Sequence, residues 1–380
     1  MGGAQLPVNL FLYGTLRHRP LLDLVAGAGV AAEEASLPGF RVVRERGGVL
    51  PVLVGHAEGS AHGLLLRDVP PAPRARLDAY EVPWGYAPCP VTAVAADGPV
   101  EALAYAPPEG FPATAEDWSL DAWLAEAGPL ALRAAEELAA LDPFPDGDAL
   151  RRQWPMIAHR AAASLRARGA APTARRRRAA PGDVALRRLS PPAGAFFRFE
   201  ALEASHRRFD GATASGLRRE ALVGCDAALL LPFDRRRGRV LLVEQVRTGP
   251  ARRGDPQPWL LEPVAGLVDA HETPEEAARR EAVEEAGLHA LDLVPMFRGY
   301  ASPGNATDFY HAFLGLCDLP DGRATSGGLA EEAEDLRLHV LPLAEAMALL
   351  DTGEANAVPL ISMLLWLDRW LRLDAGGGGA

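Results

Sequence analysis

The sequence predicts an α+β chain of two domains, of which the first is rich in β-strands. The chain has 380 residues and is 48% hydrophobic, enough for two domains that each bury a core. Short apolar runs interrupted by Gly and Pro fill the first hundred residues, which is typical of strands and turns. After Val184 the pattern changes to repeated strands followed by a helix, which indicates a second domain.

The first part of the chain predicts strands and then two helices. Apolar runs at Leu10–Tyr13 and Val49–Val54 are typical of strands, and we assign a first domain to residues 8–112. Alanine-rich segments with apolar residues at helical spacing follow at 120–141 and 150–168. They predict two helices in a connector that spans residues 113–168.

A linker is expected at residues 169–185. Four consecutive arginines, Arg175–Arg178, stand there among Gly, Pro and Ala, and such a run cannot be buried together. The run can touch RNA or an acidic membrane, but a solvated linker is the commoner explanation. The second domain is then residues 186–380.

Composition excludes several classes of function. The net charge of −11 argues against a nucleic-acid binder, so we expect small substrates and no nucleic-acid partner. All 39 basic residues are arginine, which removes Schiff-base chemistry and a P-loop lysine. Neither a signal-peptide pattern nor an apolar run of membrane-spanning length is seen, so we expect a cytoplasmic protein without a membrane partner. The three isolated cysteines suggest neither disulfides nor zinc.

One motif in the second domain carries chemistry. Residues 266–288 read GLVDAHETPEEAARREAVEEAGL, and Thr273-Pro274 with Glu276 has the form of a capped helix start. Glu281, Glu284 and Glu285 then crowd one side of the last two turns, at the helix end that disfavours negative charge. A divalent cation relieves this repulsion, and oxygen ligands suit Mg²⁺ or Mn²⁺. Without the spacing before the helix, a solvent-facing charged helix would be the simpler interpretation.

The same segment is identified as a Nudix box, G-x5-E-x7-R-E-U-x-E-E-x-G-U. All seven fixed positions match, namely Gly266, Glu272, Arg280, Glu281, Glu284, Glu285 and Gly287. The resemblance implies an α/β/α sandwich that cleaves a diphosphate linkage, with Glu281 and Glu285 as metal ligands and Glu284 among the catalytic residues. Arg280 can orient Glu284 at i+4.

The flanking sequence resembles the ADP-ribose pyrophosphatases, and in particular their tellurite-resistance branch. LLVEQVRTG at 241–249 and PWLLEPVAG at 258–266 carry this likeness. It implies that Arg247 and Glu262 contact substrate and that the Ala265 carbonyl joins the metal ligands. A surface ion pair is the alternative for Arg247. Relatives complete their pocket with strands of a partner subunit, so we expect a homodimer through the second domain, with residues 196–211 contributing.

An acidic loop downstream resembles the catalytic loop of that family. It is contained in AEEAEDLRLHVLPL at 330–343. The resemblance implies that Glu332 helps to activate water and that Glu334 reaches a metal ion. After Ser302-Pro303-Gly304 the chain has residues 305–308, NATD, where many relatives have a glycine-rich segment with glutamate. Other nucleoside diphosphate sugars therefore stay open as substrates.

The first domain resembles γ-glutamylcyclotransferase-like (AIG2-like) proteins. Tyr13-Gly14-Thr15-Leu16 follows an apolar strand, and Leu77-Asp78-Ala79-Tyr80-Glu81 comes about 65 residues later. The resemblance implies that the turn offers backbone N–H groups to a substrate and that Glu81 is a general acid/base. The family pattern often continues with Y-x-R, where this chain has Tyr86-Ala87-Pro88. A domain kept for packing or ligand sensing is the alternative.

Together these patterns predict a Mg²⁺-dependent or Mn²⁺-dependent enzyme that hydrolyses ADP-ribose to AMP and ribose 5-phosphate. Another nucleoside diphosphate sugar is an alternative substrate. A further alternative is a γ-glutamyl cyclotransferase whose Nudix domain is accessory or only senses a ligand. Metal-dependent phosphate chemistry and release of 5-oxoproline distinguish these functions.

Overall fold

A computed structural model describes residues 8–169, 172–319, 325–327 and 335–377, the third of these ranges by its backbone alone. The chain forms two compact units, with the division between Glu220 and Ala221. The finer domain boundaries derived from the sequence stay predictions. None of the helices within the described ranges combines the length and the apolarity needed to cross a membrane.

The first unit contains a six-stranded sheet that closes on itself. Its strands are β1 (Val8–Leu12), β2 (Glu33–Glu45), β3 (Pro51–Val69), β4 (Ala87–Ala95), β5 (Gly98–Ala106) and β6 (Ala113–Asp117). They follow the order β3-β1-β5-β4-β2-β6, and β3 also pairs with β2. Only β1 and β5 run parallel among the registered pairs of this sheet. The short apolar runs of the sequence are therefore strands of one barrel-like sheet.

Helices cover this sheet and build the core with it. They are α1 (Arg19–Ala26), α2 (Pro71–Glu81), α3 (Leu120–Glu126), α4 (Gly128–Ala139) and α5 (Gly147–Arg166). The sequence predicts one helix over 120–141, and this is wrong in one respect: the chain ends α3 and restarts as α4 around Ala127. Pro129 in the first turn of α4 lacks the N–H that a continuous helix would need.

A buried ion cluster fixes the segment after α5 to the helices. Glu137 on α4 accepts hydrogen bonds from Arg160 at 2.6 and 3.0 Å and from Arg198 at 2.8 Å. Both arginine side chains are almost fully buried. Arg198 is the first residue of β8 in a three-stranded sheet of β7 (Val184–Arg188), β8 (Arg198–Arg207) and β9 (Thr213–Val223).

The second unit is a sheet between two helical layers. Its strands are β10 (Asp226–Asp234), β11 (Arg239–Val246), β12 (Trp259–Glu262), β13 (Val264–Leu267), β14 (Asp292–Tyr300), β15 (Phe309–Leu316), β16 (Thr325–Gly327) and β17 (Leu336–Pro342). The main path is β14-β15-β10-β11-β17-β16, with β12 beside β11 and β13 beside β10. The helices are α6 (Thr248–Arg253), α7 (Pro274–Ala286), α8 (Leu343–Thr352) and α9 (Val358–Gly377).

Alternating side chains place the helices on opposite faces of this sheet. On β11, Leu241 and Val243 belong to the core cluster that includes Ala278 of α7. Leu242, between them, belongs to the cluster that includes Leu364 of α9. A sheet covered on both faces needs such continuous apolar strands. The predicted α/β/α sandwich and the β-rich first domain are confirmed.

Candidate active site

The box helix begins as its sequence predicts. The Thr273 hydroxyl accepts a hydrogen bond from the Glu276 N–H at 3.2 Å, and the Glu276 carboxylate accepts from the Thr273 N–H at 2.8 Å. Pro274 occupies the first turn, where a missing N–H costs nothing. The helix ends at Gly287, which caps it with a positive φ of 64°. These local devices fix the length and rotation of α7, and therefore where its carboxylates lie.

Arg280 organises the box carboxylates. Its guanidinium donates to Glu272 at 2.8 and 3.3 Å, to Glu281 at 2.7 Å and to Glu284 at 2.9 Å. A fifth hydrogen bond reaches the Leu267 carbonyl at 2.9 Å. The hydrogen bonds to Glu272, followed by the charge of Glu281 and the hydrogen bonds to Glu281 and Glu284, raise the pKa of Arg280 against the effect of burial. The sequence predicted the contact with Glu284, and the structure adds Glu272 and Glu281.

Two carboxylates of α7 meet strand β13. Glu285 is buried, with 3% exposure, and accepts a hydrogen bond from the Ala265 N–H at 3.2 Å. The α-carbon of Gly266 lies so close to the Glu281 carboxylate that any side chain at position 266 would overlap it. This close approach is the physical reason for glycine at the start of the box. The structure thus brings together Ala265, Glu281 and Glu285, three of the predicted metal ligands.

The donor set suits a hard divalent ion. Carboxylate oxygens of Glu281 and Glu285 both lie close to the Ala265–Gly266 backbone, which itself carries carbonyl oxygens. Within the described ranges, no group of three or more His, Cys, Asp and Glu side chains is arranged to hold a metal ion. Glu281 instead pairs with Arg280. Glu332 and Glu334 lie outside the described residues.

The second unit contains another ion pair, which joins Arg247 to Glu262. Arg247, the residue after β11, donates to Glu262 at the end of β12, with 2.6 Å between Nε and Oε2. The pair is held by the antiparallel register of the two strands, which sets Val243 opposite Glu262. Tyr310 lies near both charges, and burial first, then Asp308 and Glu262, raises its pKa. The structure places Arg247 and Glu262 in an ion pair, and a contact of either residue with substrate stays a prediction.

Sequence reasoning missed Tyr310 and gave Asp308 no role. Gly224 lies against the Asp308 carboxylate, and burial raises the pKa of that carboxyl. Thr307, next to Asp308, accepts a hydrogen bond from the Gly224 N–H at 2.9 Å. The two segments are over eighty residues apart in sequence, so periodicity held no signal for this contact. The acidic residue after Ser302-Pro303-Gly304 was the available signal for Asp308.

The first unit brings its own predicted residues together. The turn after β1 continues as a short 3₁₀ helix, Thr15–Arg17, which contains Thr15 and Leu16 and has Gly14 at its start. The Gly14 α-carbon packs against the ring of Pro51, where a β-carbon would lie only 2.5 Å from Cγ. The Tyr13 hydroxyl donates to the Tyr105 carbonyl at 2.5 Å. Tight packing therefore explains the glycine and places the turn beside β3 and β5.

Glu81 lies at the C-terminal end of α2 among tyrosines. Burial, and then the charge of Asp78, raises the pKa of Glu81 from about 4.5 to about 8. The charge of Glu81 in turn contributes to the raised pKa values of Tyr13, Tyr80 and Tyr86, for which burial is the main cause. Tyr13 and Glu81, 68 positions apart in the sequence, therefore share one environment. A carboxyl with a pKa near neutrality can act as both acid and base.

Comparison with known proteins matches each half of the chain to a protein family. Residues 225–363 match the NUDIX domain family, and residues 10–123 match the family described as gamma-glutamyl cyclotransferase, AIG2-like. The ADP-ribose pyrophosphatase of Escherichia coli (strain K12) is 37% identical over 172 residues, which are 45% of this chain and 81% of that protein. The ADP-ribose pyrophosphatase of Haemophilus influenzae is 34% identical over 182 residues, 47% of this chain and 81% of the relative. The GDP-mannose pyrophosphatase of Citrobacter koseri is 32% identical over 150 residues, 40% and 77% respectively.

The capped helix, its carboxylates and these relatives define a Nudix hydrolase. The chain belongs to the Nudix pyrophosphatases, and residues 10–123, which precede the Nudix domain, match the AIG2-like gamma-glutamyl cyclotransferase family.

Proposed function

We propose that the second unit hydrolyses the diphosphate of ADP-ribose to AMP and ribose 5-phosphate. The arrangement around Arg280 carries this proposal, because one guanidinium gathers Glu272, Glu281 and Glu284 beside the Gly266 backbone. Two relatives named ADP-ribose pyrophosphatase, each covered over 81% of its length, support the choice of substrate.

Nudix hydrolases use divalent metal ions, and we propose Mg²⁺ or Mn²⁺ for this chain. Glu281 and Glu285 would hold the ion, together with the Ala265 carbonyl and Glu334. Such an ion stabilises charge on phosphate oxygens and lowers the pKa of bound water. The hard oxygen donors close to the Ala265–Gly266 backbone support this assignment.

The remaining site residues have separate proposed tasks. Glu332 and Glu284 handle the attacking water, and Arg280 holds Glu284 in place through a hydrogen bond of 2.9 Å. Arg247 and Glu262 contact the substrate. Arg247 and Glu262 neutralise each other's charge, with 2.6 Å between Nε and Oε2. A group of the substrate can take the place of one residue as the partner of the other, so that no isolated charge is left.

A nucleotide panel tests the substrate. ADP-ribose, GDP-mannose and related nucleoside diphosphate sugars are incubated with the purified full-length protein and Mg²⁺, and the products are separated by chromatography. We expect ADP-ribose to have the highest kcat/KM. Faster cleavage of GDP-mannose would reassign the substrate within the class, and tight binding of ADP-ribose without turnover would favour a ligand-sensing domain.

A pair of variants on the same helix tests the metal assignment. Glu285→Gln keeps the shape of a buried side chain but removes its charge, so we expect kcat to fall by roughly 100-fold or more. Glu275→Gln removes a charge from the exposed first turn of the same helix and is the matched control. Equal activities of the two variants would contradict a role of Glu285 in metal binding.

A homodimer in the cytoplasm is part of the proposal. Exposed aromatic side chains in the first unit support a partner contact, with Phe196 at 53% exposure and Phe209 at 96%. Both lie within residues 196–211, the segment for which the sequence predicts contacts across a dimer.

A second candidate function is γ-glutamyl cyclisation in the first unit, with release of 5-oxoproline. The raised pKa of Glu81, about 8, is the observation that favours it, because a general acid/base works best near its own pKa. The Tyr13–Leu16 turn beside it offers backbone N–H groups. The test is release of 5-oxoproline from γ-glutamyl amides by wild type and Glu81→Gln. Equal release by both, or none by wild type, would leave the first unit a packing or sensing domain.

A further inference from the structure

The arginine run of residues 175–178 is attached to the three-stranded sheet through its third member. The Arg177 guanidinium donates to the main-chain carbonyls of Arg207 and Arg208, at 2.9 and 3.3 Å. It also donates to the Asp183 carboxylate at 3.3 Å. Arg207 is the last residue of β8, so these hydrogen bonds hold the run beside the end of that strand.

The other arginines of the run point their charges at solvent. All four residues of the run are exposed. Arg176 donates to the Pro172 carbonyl at 2.7 and 3.1 Å, and a neutral carbonyl does not cancel its charge. Within the described part of the chain, no acidic side chain forms an ion pair with Arg175, Arg176 or Arg178. Three unneutralised cations therefore lie at a fixed place on the surface.

The turn between β8 and β9 adds an aromatic ring to these charges. The Arg208 N–H donates to the Ala212 carbonyl at 2.7 Å and closes the turn, and Phe209 within it is 96% exposed. The Arg177 guanidinium lies over the Phe209 ring, 5.9 Å from its centre. Asp210 pairs with Arg208 at 3.0 Å. Residues 175–178 and 207–210 together are called the arginine tip below.

Positive charge is concentrated in the part of the sequence that contains the arginine tip. Residues 175–220 include eleven arginines and five acidic residues, which gives a net charge of +6. The whole chain carries −11, so the other residues carry −17. The net charge of the whole chain, which argued against a nucleic-acid partner, hides this separation of charge.

Exposed arginines beside an exposed ring suit a single-stranded nucleic acid. A guanidinium binds phosphate oxygens through paired hydrogen bonds, and neutralised phosphates release their counterions. A phenyl ring or a guanidinium plane can stack on an unpaired base. A duplex keeps its bases stacked on one another, so it would use the charges of the tip but not the ring.

Two other kinds of partner fit the arginine tip less well. If the same tip of a second copy met it across a two-fold axis, like charges would repel, so the proposed dimer contact falls to the rest of residues 196–211. An acidic membrane would attract the arginines, but membrane binding grows with the apolar area that is buried. Phe209 is the one apolar side chain among the residues of the tip.

We propose that the arginine tip binds single-stranded nucleic acid, with its exposed arginines on phosphates and Phe209 stacked on a base. Arg177 is a positioning residue, because its hydrogen bonds hold the run against the end of β8. The proposal is independent of the diphosphate hydrolysis and of the γ-glutamyl chemistry proposed above.

Fluorescence anisotropy of a labelled single-stranded RNA of about 12 nucleotides tests the proposal with the full-length protein. The first variant combines Arg175→Gln, Arg176→Gln and Arg178→Gln and keeps the Arg177 anchor. Each lost phosphate contact removes about 0.7 from the slope of log affinity against log salt, so the slope should fall by about 2. Affinity at the lowest salt, about 0.05 M NaCl, should fall by roughly 100-fold.

A second triple variant is the matched control. It combines Arg252→Gln, Arg253→Gln and Arg369→Gln, which removes three exposed arginines from the second unit and changes the net charge by the same amount. We expect its RNA affinity and salt slope to stay close to those of wild type. Phe209→Leu keeps an apolar side chain but loses the ring, so it should lower affinity by about 10-fold without changing the salt slope.

Four results would overturn the proposal. The first is the absence of RNA binding by wild type at about 0.05 M NaCl, and the second is equal affinity of the two triple variants. The third is a Phe209→Leu affinity equal to that of wild type, because the tip would then hold no stacked base. The fourth is binding to phosphatidylserine vesicles, lost in the first triple variant, by a protein that does not bind the RNA. All substituted side chains are exposed, and circular dichroism should show each variant folded.

Discussion

Replacement of Arg280 by lysine separates charge from geometry in the Nudix site. Arg280 uses all five N–H groups, four toward Glu272, Glu281 and Glu284 and one toward the Leu267 carbonyl. Lysine keeps the positive charge but offers three donors from a single nitrogen. At least two hydrogen bonds are therefore lost in Arg280→Lys, while the net charge of the site is unchanged.

The size of the effect follows from these contacts. A hydrogen bond to a charged group contributes roughly 1.5–3 kcal/mol, and the lower part of that range applies because the Arg280 side chain is 32% exposed. After discounting for solvent, two lost bonds cost about 2 kcal/mol. For a unit of this size that corresponds to a fall in Tm of about 4–8 °C. Misplacement of Glu284 by about 1 Å would lower kcat by about 100-fold.

Calorimetry and ADP-ribose hydrolysis with Mg²⁺ measure the two effects. Arg279→Lys is the matched control, because Arg279 makes a hydrogen bond of 2.8 Å with the Leu291 carbonyl that lysine can replace. We expect Arg279→Lys to behave as wild type in both assays. If Arg280→Lys has the same Tm and kcat as this control, the five-bond geometry has no importance and only the charge matters.

Four further predictions concern other residues and the assembly of the protein. Glu332→Gln should lower kcat strongly and spare KM and metal affinity; weaker metal binding with normal kcat at saturating Mg²⁺ would make Glu332 a ligand instead. Glu137→Gln should cost about 3 kcal/mol, because it leaves Arg160 and Arg198 buried with a weaker partner, and calorimetry should show a Tm lower by about 10 °C; an unchanged Tm would contradict this. The raised pKa of Glu81 predicts that the first unit loses stability as pH rises from about 4.5 through about 8, and Glu81→Gln should remove that dependence in urea titrations. Sedimentation at micromolar concentration should show a dimer, and a monomer would count against contacts through residues 196–211.

Local sequence rules predicted the box helix well. Thr273, Pro274 and Glu276 define its start through contacts that span only three residues, and Gly287 ends it. Nonlocal contacts altered other elements. The residues 196–200, FFRFE, have the composition of a strand, but β8 begins at Arg198. Just before it, the Phe196 carbonyl accepts a hydrogen bond from the buried Arg160 side chain, which belongs to a helix 36 residues earlier. Periodicity cannot report such a partner.

The sequence by itself determined the Nudix box, the residues of its carboxylate cluster and the pairing of that domain with an AIG2-like one. Each depends on residue identity and spacing, which the sequence states directly. Only the tertiary structure decided that Glu281 meets the bare backbone of Gly266, that Arg280 gathers three carboxylates, and that Glu81 lies with Tyr13 in a buried environment. Burial and proximity across strands set hydrogen bonds and pKa values, and both arise only when distant segments pack together.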